Sequence, residues 1–446
     1  MLPRFMIAAP ASGSGKTLVT CGILQALVNR GLKVASFKCG PDYIDPMFHS
    51  RVIGTRSKNL DAYFVDQPVL RYLFKRTAET VDISVVEGVM GFYDGISIMS
   101  TEASSHDVSQ KLDIPVVLLV NCRGASISCL PVLEGFLRFR PNNIKGVIFN
   151  NMSQRVFETL KPEAEKLGVK AIGYVPKVSD LVLESRHLGL VLPSEIDELK
   201  DKLNRLADVL EETLDIDALI ELAGTAPDID CTPPEVMTLD EPVRIGFADD
   251  ETFCFTYEDN IELLERCGAE IIRFSPMSDP KLPEVDGIIL SGGYPELHAE
   301  ELEANAAMRA DIREKVLGGM PCIAECGGFM YLHSKIEDSE GAMREMCGVI
   351  DSEVRNTGKL TRFGYATFTS KPDGTVGDLT IRGHEFHYWD SGLCGEDWLA
   401  RKTSGREYRC IHDTGSMIAG FPHLYYYSNP EMPYRFLERC LEYRKR

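Results

Sequence analysis

Residues 10–17 read Pro10-Ala11-Ser12-Gly13-Ser14-Gly15-Lys16-Thr17, directly after an apolar run at 5–9 and directly before LVTCGILQALVNR (18–30). A strand, a glycine-rich turn and a helix in that order form a P-loop, with Pro10 standing where the pattern G-x-x-x-x-G-K-[ST] has its first glycine. The physics tolerates that change. Gly13 and Gly15 let the backbone N–H groups around Ser14 turn inward toward phosphate oxygens, and the helix opening at Lys16 adds the positive end of its dipole. Lys16 can reach the β- and γ-phosphates, and Thr17 offers a hydroxyl to Mg²⁺. ATP is therefore the expected co-substrate and Mg²⁺ the expected cofactor. Regulatory MinD-like ATPases carry a further lysine at the start of this loop, where this chain has Ala11.

The same rhythm continues outward from the loop. Short runs rich in Val and Ile at 34–37, 83–86, 116–120, 147–149 and 171–175 alternate with helical patterns. Nearly continuous apolar strands separated by helices imply an α/β fold with a parallel sheet covered on both faces. Ligands gather at the carboxyl ends of such strands. Leu199, Leu203, Leu206, Leu210 and Leu214 then recur at helical spacing among acids. Residues 224–242, GTAPDIDCTPPEVMTLDEP, hold four prolines without periodicity and read as a linker. This predicts an ATP-using domain over 1–223 and a second α/β domain over 243–446. The second domain restarts the strand rhythm at 243–248, 271–274, 288–290 and 322–324, and is richer in antiparallel strand beyond about residue 345.

Composition bounds the function. At 446 residues, two or three domains are expected. A net charge of −19 repels phosphate backbones and argues against nucleic acid as a partner. The 13 cysteines form no CxxC pair, so they read as reduced thiols in a cytoplasmic protein rather than as zinc ligands or a redox pair. No apolar stretch reaches the roughly 20 residues that span a bilayer, and no membrane partner is expected. The first apolar run leads straight into the glycine-rich loop and reads as a buried strand rather than part of a signal peptide.

Two clusters of chemistry stand out. Glu87 closes the run 83–86 in the position of a Walker B acid, and Lys38, Asp42, Tyr43 and Asp45 follow the run 34–37. Asp45 or Asp42 can complete a Mg²⁺ shell with Thr17 and Glu87, while Lys38 can steady a transferring phosphoryl group. Asp94, in the loop GVMGFYDG, can face an acceptor. In the second half, PCIAECGGFM (321–330) runs a buried strand into Cys326 and then two glycines. This is the nucleophile-elbow arrangement, and a helix N-terminus there is expected to lower the thiol pKa. A thiolate needs a base, for which His384, His387 and His423 are candidates. The glycines of SGGYPE (291–296) can supply oxyanion donors.

A phosphorylating domain and a thiol domain in one chain suggest one reaction. ATP activates a carboxylate as an acyl phosphate, the thiol releases ammonia from glutamine, and ammonia displaces phosphate to give a carboxamide.

The segments ASGSGKT, FKCGPDYIDPMFH, NLD, VVEGVMGFYDG, RHLGL, DETFCFTYEDN, FSPMSDPKLP, GGYPELHAEEL, AECGGFMYL and RGHEFHY together resemble the cobyrinate a,c-diamide synthase family. They span nearly the whole chain. The resemblance implies a dethiobiotin-synthetase-like P-loop domain followed by a class I glutamine amidotransferase-like domain. It implies ATP- and L-glutamine-dependent amidation of the c and then the a carboxylate of a cobyrinate-type tetrapyrrole, in a possible homodimer. It singles out Cys326 as nucleophile and His423 as its base, and gives Thr17, Asp45 and Glu87 to Mg²⁺. It assigns Asp42, Tyr43 and Asp94 to the substrate, and places Asn150 near the adenine. Two residues after His423 stands Tyr425 rather than the Glu of triad amidotransferases, so a Cys–His dyad is expected. Related families carry out the same a,c-diamidation on nickel-sirohydrochlorin or hydrogenobyrinate. A MinD-like regulatory ATPase with a silent amidotransferase module is a more distant alternative.

Overall fold

The structure, a computed structural model, describes residues 2–178 and 196–446, without the side chains of 196 and 197; the RHLGL segment (186–190) lies outside them. The chain divides into two compact units, Met1–Pro234 and Glu235–Arg446.

The first unit is built on a parallel sheet of β1 (Arg4–Ala8), β2 (Val34–Cys39), β3 (Arg56–Leu60), β4 (Ile83–Glu87), β5 (Val116–Asn121), β6 (Ile144–Asn150) and β7 (Lys170–Val175). Its order is β3-β2-β4-β1-β5-β6-β7. β1, β2 and β4 are buried along their whole length, as expected of strands covered by helices on both faces. β3 was not anticipated, because its sequence RSKNL carries no apolar run. It forms because β2 offers it a free edge, and Ser57 Oγ hydrogen-bonds Ser36 Oγ across the ladder at 2.6 Å.

The leucine stripe lies in a helix, Ile196–Thr213, from Leu199 to Leu210, and Leu214 follows its end. Leu203, Leu206 and Leu210 are buried. They pack on the helix Lys16–Asn29 at Gly22, where a Cβ would stand 2.5 Å from Leu210 Cδ1. The close approach of these helices thus depends on a residue without a side chain. Arg4 is fully buried at the start of the central strand β1, and its guanidinium donates to the carbonyls of Leu112 and Pro227 at 3.1 and 2.7 Å. A charged group is tolerated there because its donors are satisfied.

The second unit holds two sheets. β8 (Val243–Ala248), β9 (Ala269–Phe274), β10 (Gly287–Leu290) and β11 (Cys322–Glu325) are parallel. The other sheet contains β12 (His333–Glu337), β13 (Met343–Glu345), β14 (Ile350–Thr369), β15 (Thr380–Ser391), β16 (Trp398–Lys402) and β17 (Glu407–Cys410). β18 (His412–Asp413) and β19 (Met417–Gly420) extend the first of these sheets in the order β18-β19-β11-β10-β8-β9. β20 (His423–Leu424) pairs with β15 in the second. The largely antiparallel tail matches the Thr- and Tyr-rich composition there. No described helix is long and apolar enough to cross a membrane.

Candidate active site

Gly13 and Gly15 take φ values of 73° and 92°, left-handed conformations that side chains resist. A Cβ on Gly15 would stand 2.5 Å from Asn150 Nδ2, so the loop closes against the end of β6. Asn150 donates from Nδ2 to the Ser14 carbonyl at 2.8 Å, and its role in the structure is to brace the loop. Lys16 heads the helix, and its ammonium donates to the carbonyls of Met90 and Ala11 at 2.6 and 3.3 Å. Burial, then the neighbouring Lys38, lowers its pKa. Met90 adopts φ 47°, which turns its carbonyl toward Lys16.

Below the loop, side chains from three strand ends converge. Thr17 Oγ1 donates to Glu87 Oε1 at 2.8 Å, Lys38 Nζ lies 2.7 Å from the same oxygen, and Lys38 donates to Asp45 Oδ2 at 2.5 Å. Burial alone would drive proton loss from Lys38, but Glu87 and Asp45 hold its pKa above the ordinary lysine value. Burial pushes the Glu87 carboxyl up, against the pull of Lys38. Three of the proposed ion-binding side chains are thus brought together, with an ammonium seated among them.

The fit to a divalent cation rests on the donor set. Glu87 Oε2 is buried without a hydrogen-bond partner, and Thr17 and Asp45 supply further hard oxygens beside it. No cluster of three or more His, Cys, Asp or Glu side chains able to hold a metal occurs among the described residues, so a hydroxyl and water must complete the shell.

Asp42 accepts from the backbone N–H of Ile44 at 2.9 Å, and Tyr43 is buried. Asp94, exposed, accepts from the Gly91 N–H at 3.0 Å on the loop that carries Met90. Two contributors escaped the sequence reading. Asn59 donates to the carbonyls of Gly40 and Asp42 at 2.9 and 2.6 Å and clamps the loop bearing Asp42. His49, fully buried, places Nε2 3.8 Å from Glu87 Oε2, and burial lowers its pKa to about 4, so it is neutral beside the acid. Both lie in the segments 37–49 and 59–61, but only the three-dimensional turn shows what they touch.

In the second unit, Cys326 follows β11 with φ 46° and caps the helix Gly327–Tyr331. The elbow is closed by backbone. The Cys326 N–H donates to the Gly420 carbonyl at 2.8 Å, and the Gly328 N–H to the Ser291 carbonyl at 3.0 Å. A Cβ on Gly328 would meet the Leu290 carbonyl at 2.1 Å, and one on Gly327 would meet the Gly293 nitrogen at 2.9 Å. The two glycine pairs therefore face one another, which puts the Gly293 N–H beside the elbow.

One expectation is corrected. The thiol pKa is not lowered: burial raises it, with Glu296 adding to the effect. The helix behind Cys326 has only five residues, too short a dipole to offset the loss of water.

Of the three histidines, His423 lies against the second glycine pair, where a Cβ on Gly292 would stand 2.4 Å from its Cε1. His384 stacks on His423 with centroids 4.9 Å apart and planes 15° apart. His387 instead stacks on Phe421 and donates from Nδ1 to the Trp389 carbonyl at 2.6 Å. Burial lowers the pKa of His423 to about 3 and that of His387 to about 4. Tyr425 does not face the histidine's partner position, because its hydroxyl donates to Asp259 Oδ2 at 3.0 Å. Further out, the Tyr408 hydroxyl and Lys402 engage Glu385.

Comparison with known sequences defines the class first. The CobQ/CobB/MinD/ParA nucleotide binding domain matches residues 5–191, and the CobB/CobQ-like glutamine amidotransferase domain matches residues 244–430. The chain thus couples an ATP-using P-loop domain to a glutamine amidotransferase domain. Cobyrinate a,c-diamide synthase of Listeria innocua is 38% identical over 96% of this chain and 97% of its own length. Those of Priestia megaterium and Salmonella typhimurium are 36% and 37% identical over 98% and 96% of the chain, and 97% and 96% of their own lengths. The chain belongs to the cobyrinate a,c-diamide synthase family.

Proposed function

We propose that this chain is a glutamine-dependent ligase that amidates the c and a side-chain carboxylates of cobyrinate, with ATP as co-substrate. The observation that supports it most is the presence of two separate side-chain clusters of different chemistry, a phosphate loop over Thr17, Lys38, Asp45 and Glu87 and a thiol elbow at Cys326.

In the first unit, backbone N–H groups of residues 13–17 and the Lys16 ammonium bind the ATP phosphates. Thr17, Asp45 and Glu87 would hold Mg²⁺, which neutralises charge on the β- and γ-phosphates when bound. Lys38 steadies the γ-phosphoryl group as an acceptor carboxylate oxygen takes it, forming an acyl phosphate and releasing ADP. Asp42, Tyr43 and Asp94 border the acceptor.

In the second unit, His423 takes the Cys326 proton and the thiolate attacks the glutamine carboxamide carbon. The Gly293 N–H stabilises the resulting oxyanion. The C–N bond breaks, the proton returns to the leaving nitrogen as ammonia, and water hydrolyses the thioester to glutamate. Ammonia then attacks the acyl phosphate, expelling phosphate and leaving a carboxamide.

The test is to supply the purified chain with ATP, glutamine and cobyrinate, and to follow ADP, glutamate and the acceptor's mass. Two successive replacements of OH by NH₂, each with one ADP formed, are expected. An acceptor whose mass never changes overturns the assignment; conversion of nickel-sirohydrochlorin or hydrogenobyrinate in its place reassigns the ring.

A further inference from the structure

A histidine that deprotonates a thiol needs a group on its other ring nitrogen, to fix the tautomer and to stabilise the imidazolium that forms. In this chain the residue two beyond His423 is Tyr425, committed to Asp259. An acid reaches the histidine from another direction. Glu325 ends β11, immediately before the nucleophile, and pairs in register with Gly420 of β19. The chain turns after Gly420 and returns His423 to the same point. Glu325 Oε2 stands 4.0 Å from His423 Nδ1, and Glu325 Oε1 accepts from the Leu424 N–H at 3.2 Å. One carboxyl group therefore holds the backbone of the residue after the histidine and faces its ring.

We propose that Glu325 is the positioning residue for His423, supplying from the nucleophile's own strand the acid that triad amidotransferases place after the histidine. This rests on the reading of Cys326 and His423 as the glutamine-hydrolysing pair.

Three observations support it. The segment is held from its other side as well, with Asn260 Nδ2 donating to the Leu424 carbonyl at 2.8 Å and Asn260 Oδ1 accepting from the Tyr426 N–H at 2.8 Å. The ring therefore has little freedom to leave the carboxyl. Second, Glu325 is buried, so once ionised its charge acts on the ring with little screening. Third, a carboxylate beside a nucleophilic thiol is a liability on its own, since like charges raise the thiol pKa, as Glu325 does here. It helps only by acting through an imidazolium between them. The distance of 4.0 Å is an ion-pair separation that shortens once the imidazole is charged.

Burial raises the Glu325 carboxyl to about 8, so it ionises in the alkaline range, and the titratable groups around the pair are His384, His387, Glu296, Cys326 and Tyr426.

The experiment uses the full chain and measures glutamate release from glutamine beside amidation driven by free ammonia. Glu325→Gln keeps the size of the side chain and an oxygen for the Leu424 N–H, and removes the charge. Its kcat for glutamine should fall by at least about tenfold with KM held within about twofold, and the alkaline rise of the kcat profile should vanish. Glu325→Asp should restore part of the rate, and ammonia-driven amidation should stay at the wild-type level in both. A Glu325→Gln chain with wild-type kcat and pH profile would overturn the proposal, because a purely structural hydrogen bond survives that change. Loss of ammonia-driven amidation would also overturn it, since a residue acting only through His423 has no part in that step. The underlying reading has its own control: Cys326→Ala that still uses glutamine removes the pair itself, whatever Glu325→Gln does.

Discussion

The Lys38 ammonium lies 2.7 Å from the Glu87 carboxylate, and both are buried at the floor of the phosphate loop. The lysine is thereby held charged between Glu87 and Asp45. Removing one partner of a buried pair leaves the other uncompensated, at a cost of about 3–5 kcal/mol. Lys38→Met is therefore expected to lower the melting temperature and to abolish ADP formation. A chain that keeps its melting temperature would show that the pair is not buried as described.

The two sites should separate under chelation. If Thr17, Asp45 and Glu87 hold the ion as proposed, EDTA should stop ADP formation and acceptor amidation. The proposed glutamate release at Cys326 would use none of these residues, and its rate with glutamine alone should be unchanged. A parallel loss of both activities would place a metal in the thiol site as well.

The elbow should reject even a methyl group. A Cβ on Gly328 would stand 2.1 Å from a backbone carbonyl that cannot move aside. Gly328→Ala is expected to destabilise the second unit by about 1–3 kcal/mol and to abolish glutamine use. Gly31→Ala is the contrasting control: its Cβ would meet nothing within 4 Å, although its φ of 81° is left-handed. It should cost only the conformational strain, about 1–2 kcal/mol. Chemical denaturation curves read both.

Because burial raises the Cys326 thiol, the resting site is thiol and neutral imidazole at neutral pH. Alkylation of Cys326 by iodoacetamide should be slow at pH 7 and accelerate steadily into the alkaline range. A rate already at its plateau at pH 7 would mean a pre-formed thiolate.

Glu325 carries a stability signature that is distinct from its kinetic one. Its folded pKa is raised to about 8, above an unfolded value of about 4.3. The stability it contributes is full below about pH 4 and is lost as pH rises through 8, on the order of a few kcal/mol. Glu325→Gln cannot lose a proton, so its melting temperature should match the wild type near pH 4 and exceed it at pH 8. Equal curves at both pH values would show that the carboxyl is not buried.

Much of the fold is legible in the sequence. Short apolar runs marked β1, β2 and β4, because strands covered on both faces are mostly apolar and admit polar groups such as Arg4, Lys38 and Glu87 only where these find partners. β3 hid itself, since Ser57, Lys58 and Asn59 are stabilised by neighbours rather than by apolar burial. Lys16, Thr17, Glu87 and Cys326 were legible because strand-end chemistry has local signatures. The roles of Asn59, His49 and Glu325 were not, as each depends on a contact between distant segments. Glu325 and His423 meet only because β11 and β19 are neighbours. The thiol's acidity was misjudged for a related reason: a helix start can be read locally, whereas its length and the depth of the pocket cannot.

The tether between Lys16 and the Met90 carbonyl has one more consequence. A phosphate bound by the Lys16 ammonium would compete with the Met90 carbonyl for its protons, and Met90 belongs to the same loop as Asp94. A nucleotide at Lys16 would therefore compete for this tether, and the loop that carries Asp94 would feel the exchange.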